Sequence, residues 1–133
     1  MSRVQSCNRA TASERAAYAR EQLQLAEIGE PWDQNPERKA SGACAVLAAI
    51  AAADAICCAH MGRRSRGQDH REALGLLEQV EPNGEAHARD LEVALAAKDL
   101  VQHGTNLFNP ARHQSLLRAA RRLVSAASAA TSL

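Results

Sequence analysis

Between Gly62 and Gly67 the chain reads "GRRSRG", and His70 follows a few residues later. Arg63, Arg64 and Arg66 therefore stand just ahead of a helix start, where unbonded backbone amides and the helix dipole favour an anion. Guanidinium forks match phosphate oxygens, so the pattern points to phosphate binding. A solvated turn that neutralises the carbonyl end of the preceding helix would have the same composition. His70 precedes Ala73, Leu74 and Leu77 at spacings that share one face of a helix. There it is either an acid–base or phosphate-binding group at a cleft mouth, or a histidine hydrogen-bonded into the core.

Asp54 lies inside the apolar run Ala43–Ala59. A carboxylate in such surroundings needs a partner, and His70, an arginine of the turn and Lys98 are the candidates. Breaking a fully buried pair from one side costs on the order of 3–5 kcal/mol. Lys98 follows Leu95 and Leu91 at helical spacing, at the edge of an inward face, and His103 closes the same segment before Gly104. The two are about 140° apart on a continuous helix, so they share a face only if the helix ends between them or a second subunit supplies one. A lysine steadying phosphate while a histidine moves a proton is ribonuclease chemistry. His103 is also simply well placed at a helix C-terminus. Cys57, Cys58, His60 and His70 do not form a zinc set, because adjacent helical cysteines point roughly 100° apart. There is no phosphate-binding glycine loop and no GxSxG nucleophile. No metal and no cofactor is expected.

These residues need a scaffold. The 133 residues fit one domain, 46% hydrophobic but only 2% aromatic, with Tyr18, Trp32 and Phe108 the three rings. Alanine and leucine supply most of the apolar content, and alanine is the best helix former, so the fold class is all-α. Sixteen basic and 15 acidic residues give a net charge of +1. No global field draws the protein to nucleic acid or a membrane, and any anion site is local. The N-terminus is polar, with no secretory signal, so Cys7, Cys44, Cys57 and Cys58 are expected to be free thiols in a cytoplasmic protein. The run Ala43–Ala59 falls short of the roughly 20 residues of a membrane span and reads as a core helix.

Thr11 or Ser13 caps a first helix to about Ile28, with Ala12, Ala16, Ala19, Leu23 and Ala26 inward. "GEPWDQNPERK" reads as a linker. Ser41 caps a second helix, apolar on all sides, that ends at Gly62 and belongs at the centre. A third starts near Gln68, a fourth runs from about Gly84 to Gly104, and a fifth follows the cap pair Asn109-Pro110. The tail "SAASAATSL" is expected to fray, and no strand pattern is evident. This predicts an antiparallel up-and-down bundle of four core helices plus an N-terminal helix: residues 1–39 hold that helix and linker, and 40–133 the bundle. Short turns would make neighbours antiparallel, so the second and fourth helices would run the same way and bring His70 and His103 to one end.

The succession "AAIAAADAICCAHMG", "RRSRGQDH", "REALGLLEQV", "LEVALAAKDLVQHG" and "AARRLVSAA" resembles the HEPN superfamily of small helical bundles over about Ala40 to Ala130. The resemblance implies a bundle of four or five helices that commonly dimerises and binds RNA or nucleotides. Active members are metal-independent ribonucleases with an arginine followed a few residues later by a histidine. The corresponding positions here are Lys98 and His103, where lysine keeps the charge and loses the bidentate fork. Arg64 and His70 satisfy the same spacing one helix earlier. The expectation is a homodimeric domain that binds RNA or a nucleotide or phosphate ligand, without catalysis. The alternatives are an endoribonuclease built on Lys98 and His103, or a module for contact with a partner protein.

Overall fold

In the computed structural model, which describes residues 4–66 and 70–132, five helices and a two-stranded antiparallel sheet form a helical bundle. The long helices are α1 (Arg9–Glu27), α2 (Asn35–Met61), α4 (Gly84–Gln102) and α5 (Pro110–Thr131). Helix α3 (His70–Glu78) is short, and β1 (Val4–Ser6) pairs with β2 (Arg63–Ser65). The expected start of the third helix at Gln68, and the Gly67 boundary of the basic turn, lie outside the described residues.

Alanine determines how the helices pack. In α2, Ala45, Ala48, Ala49, Ala51, Ala52 and Ala55 are fully buried, and α1 lays Ala12, Ala16 and Ala19 against it. Such small side chains let neighbouring backbones approach closely. Gly42 shows the limit, since a Cβ there would stand 2.7 Å from Val101 Cγ1 and 2.8 Å from Phe108 Cε2. By length and composition α2 could cross a membrane, but in this fold it is wrapped by α1, α4 and α5.

Several expectations change. Helix α2 starts at Asn35, well before Ser41, because Pro36 occupies the first turn, where its missing N–H costs nothing, and Gln34 with Glu37 forms a capping box. Ser41 is instead an interior residue whose hydroxyl donates to the Ala26 carbonyl. The N-cap of α1 is Asn8, whose side chain accepts from the Thr11 amide. The C-terminal tail is helical to Thr131. A strand pair is present where none was expected, since three-residue strands are too short to show an alternating pattern.

The direction of the fourth helix is also corrected. At nine residues α3 is about 13 Å long, whereas α2, at 27 residues, is about 40 Å. Helix α3 cannot return the chain along the bundle, so α4 starts near the end where α2 finished and runs against it. Lys39 Nζ, in the first turns of α2, accordingly donates to the Gly104 carbonyl just beyond α4 at 2.9 Å. Helix α1 therefore joins α2, α4 and α5 as a long core helix, while α3 and the strand pair sit where α2 ends.

Two of the four cysteines are not free. Cys7, after β1, is joined to Cys58 in the last turns of α2, with Cα atoms 5.6 Å apart, while Cys44 and Cys57 remain thiols. The bond spans 51 residues of sequence, and its ends are brought together by the packing of α1 on α2 and the pairing of β1 with β2. It removes the support that four free thiols lent to a cytoplasmic setting.

Candidate functional site

Gly62 ends α2 in a left-handed conformation, φ 68°, with its amide bonded to the Cys58 carbonyl. The chain then turns into β2, whose alternation sends successive arginines to opposite sides. Arg63 reaches Gln79 Oε1 at 3.2 Å, beyond the end of α3. Arg64 turns inward to Asp54 Oδ2 at 3.3 Å. The same oxygen accepts from Arg15 of α1 at 3.2 Å. Asp54 is thus shared between two guanidinium groups, one from the expected turn and one from α1. Its side chain is 17% exposed, against 28% and 24% for Arg15 and Arg64. Burial pushes the Asp54 carboxyl above its ordinary range, and the two arginines pull against that without reversing it.

Beside this triad lies a cavity of about 240 Å³. Its polar lining is Asp54, Arg64, Ser65, Arg66, His70 and Lys98. Ile50 and Ala53 of α2, Ala73 of α3, and Leu91 and Leu95 of α4 supply an apolar floor. Helix α4 can contribute because it runs against α2, which sets Leu91 and Leu95 beside Ala53 and Ile50. Among the described residues, neither Arg66 nor Lys98 has a hydrogen-bonding or ionic partner. The Ser65 hydroxyl donates to Glu72 Oε1 at 3.3 Å, which sets a carboxylate close to the cavity.

Of the residues singled out from sequence, Asp54, Arg64, Arg66, His70 and Lys98 meet in this cavity. Arg63 is turned away to Gln79, and His103 is not in the lining. His103 caps α4, exposed, with its amide on the Asp99 carbonyl. The adjoining Gly104 meets Lys39, which places His103 at the end where α2 begins, whereas His70 lies at the end where α2 finishes. The expectation that both histidines share one end is corrected, for the reason given by the length of α3. Within the chain, the histidine that shares the cavity with Lys98 is His70.

Sequence reading missed Arg15, although a signal was present. It sits within the stripe Ala12, Ala16, Ala19, where a charged residue needs a buried partner. It also missed a polar cluster at the opposite end. His113, 1% exposed, meets the Ser41 hydroxyl through Nε2 at 2.8 Å and the Trp32 ring edge-on at 4.8 Å. The Ser41 proton goes to the Ala26 carbonyl at 2.6 Å, so Ser41 accepts from His113. Arg38 beside them donates to the carbonyls of Trp32, Asp33 and Phe108. This cluster ties the α1–α2 connection to the segment before α5. With its hydroxyl proton committed and both side chains buried, it serves as a packing joint rather than a nucleophile.

Among the described residues no group of histidine, cysteine or carboxylate side chains could hold a metal ion. The chemistry the cavity offers is electrostatic. Arg66 and Lys98 present unengaged charge, Arg64 presents a partly engaged fork, and His70 adds an imidazole ring over an apolar floor. Set against protein-family models, curated proteins and solved structures, the chain matches none, and what the cavity can do follows from its own residues.

Proposed function

We propose that the protein is an HEPN-like binding domain for a phosphate-bearing ligand, a nucleotide or an RNA, held in the cavity between α2, β2, α3 and α4. One observation carries the reading: Arg64 and Arg66 from the β2 segment and Lys98 from α4 converge with His70 of α3 on one cavity, and Arg66 and Lys98 have no side-chain partner among the described residues. Charge held against a partly apolar wall is screened less than on an open surface, which strengthens its hold on an anion. Asp54 does not cancel that charge, because Arg15 shares it from the side of α1.

The proposal extends to a homodimer. Ile28 and Leu25 at the end of α1 are 74% and 53% exposed, apolar surface that a second copy would cover. Sedimentation showing only monomer at tens of micromolar would remove this part of the reading.

The test is calorimetric titration with inorganic phosphate, a mononucleoside monophosphate and a short single-stranded RNA, in the presence of a chelator. Phosphate is expected to bind, and Lys98→Ala and Arg66→Ala each to weaken it by about tenfold, the worth of one charge-assisted hydrogen bond. Recovery of the RNA uncut supports binding without catalysis, and cleavage abolished by His70→Ala would favour the ribonuclease alternative. If none of the three binds at millimolar concentration, the cavity is not an anion site.

A further inference from the structure

The strand that brings Arg64 and Ser65 to the cavity is held by side-chain bonds of Arg63, Arg64 and Ser65 and, along its edge, by a short partner strand. β2 pairs with β1 over three residues, Val4 with Ser65, Gln5 with Arg64 and Ser6 with Arg63. One further main-chain bond, from the Cys7 amide to the Gly62 carbonyl at 2.9 Å, closes the ladder. An isolated pair of short strands is marginal at best in water. Beyond its ladder, β1 is held by Val4, half-buried against the core, by its continuation into α1 at Arg9, and by the Cys7–Cys58 disulfide, which anchors it to the last turns of α2. The covalent bond, the ladder and the inward turn of Arg64 thus form one line of support, running from α2 through β1 to the wall of the cavity.

We infer that the Cys7–Cys58 bond is a redox clamp on the anion site: reduction releases β1, loosens β2 and withdraws Arg64 from the cavity. The inference rests on the phosphate-binding reading of that cavity. The reductant it requires is a dithiol. Its thiolate attacks Sγ of Cys7, the more exposed of the pair. The S–S bond breaks, and Cys58 leaves as a thiolate that takes a proton. The second thiol of the reductant then attacks the mixed disulfide and releases Cys7. The balance is one protein disulfide reduced to two thiols and one dithiol oxidised to a disulfide. Cys57, next in sequence to Cys58, does not intrude. Burial, with Asp54 adding to it, pushes its thiol up to about 12, so it stays protonated and unreactive. The clamp therefore opens and closes on one pair.

The experiment compares the intact chain before and after dithiothreitol. Thiol labelling in denaturant verifies two free cysteines before reduction and four after it. Circular dichroism reports the helices, hydrogen-exchange mass spectrometry reports residues 4–6 and 63–66, and calorimetry reports inorganic phosphate. The expected result is an unchanged helical signal, faster exchange confined to the two strands, and phosphate binding about tenfold weaker, the worth of one charge-assisted contact. Cys7→Ser is expected to bind like the reduced protein whether or not reductant is present. Unchanged exchange in the strands overturns the clamp. So does unchanged phosphate affinity after complete reduction, and so does loss of the helical signal, which would make the bond a staple for the whole fold. If phosphate binds neither form, the binding reading fails and the site clamp falls with it; strand exchange then shows separately whether the disulfide holds β1 and β2 together.

Discussion

Replacing Asp54 with asparagine probes the centre of the candidate site without changing its volume. Two ion pairs to one oxygen, at 3.2 and 3.3 Å, suggest that the substitution should be severe. A fully buried pair broken on one side costs about 3–5 kcal/mol, because it strands the partner's charge away from water. Here the partners are only partly stranded: the Nε atoms of Arg15 and Arg64 are buried without a hydrogen-bond partner among the described residues, but the side chains as a whole are 28% and 24% exposed. Desolvation of the carboxylate outweighs both guanidinium groups, as the upward displacement of its pKa shows. By linkage, a carboxyl whose folded pKa is raised stabilises the fold fully below the unfolded value of about 3.9 and loses that contribution as pH rises through the folded value. At neutral pH the ionised side chain is therefore no better for stability than a neutral isostere. The expected result is that Asp54→Asn changes unfolding free energy by less than about 1 kcal/mol at pH 7. Urea titration of the disulfide-intact protein measures it, with the m-value checked for constancy. The wild type should gain relative to the variant as pH is lowered toward 4. A loss of 3–5 kcal/mol at pH 7 would refute the reasoning and show the triad to be desolvated as a unit.

Two further outcomes follow from other parts of the fold. Burial first, then Arg38 and Arg121, holds the His113 imidazole below its ordinary pKa, so its contribution is present above about 6.5 and is lost as pH falls through the folded value. The urea midpoint should drop between pH 7.5 and 5, and His113→Asn should flatten that slope in part, because burial lowers His87 as well; an undiminished slope would clear His113 of the role. Gly42→Ala would press a methyl group to within 3 Å of Val101 and Phe108, and Phe108 is fully buried. The overpacking cost of about 1–3 kcal/mol is offset by roughly 1 kcal/mol of helix propensity, so a net loss is expected in thermal melts. An unchanged or raised Tm would show that the two side chains can give way.

The features legible in the sequence are those that chemistry settles within a few residues. Alanine content and periodicity imply helices. Gly62 ends α2 and Asn109-Pro110 starts α5, because capping is satisfied locally. Asp54, embedded in an apolar run, demands a cation whatever the fold, and Arg64 was among the candidates because the turn is close in sequence. The tertiary structure decided what depends on distance between elements. Arg15 reaches Asp54 only because buried alanines let α1 lie close against α2. Cys7 meets Cys58 because α1 packs along α2 and two three-residue strands pair, and four cysteines in a sequence carry no record of which ends the packing will join. The end of the bundle that receives each histidine turns on the length of α3. A helix of nine residues cannot cross the bundle, so α4 reverses against α2, Lys98 enters the cavity beside His70, and His103 is carried to the far end.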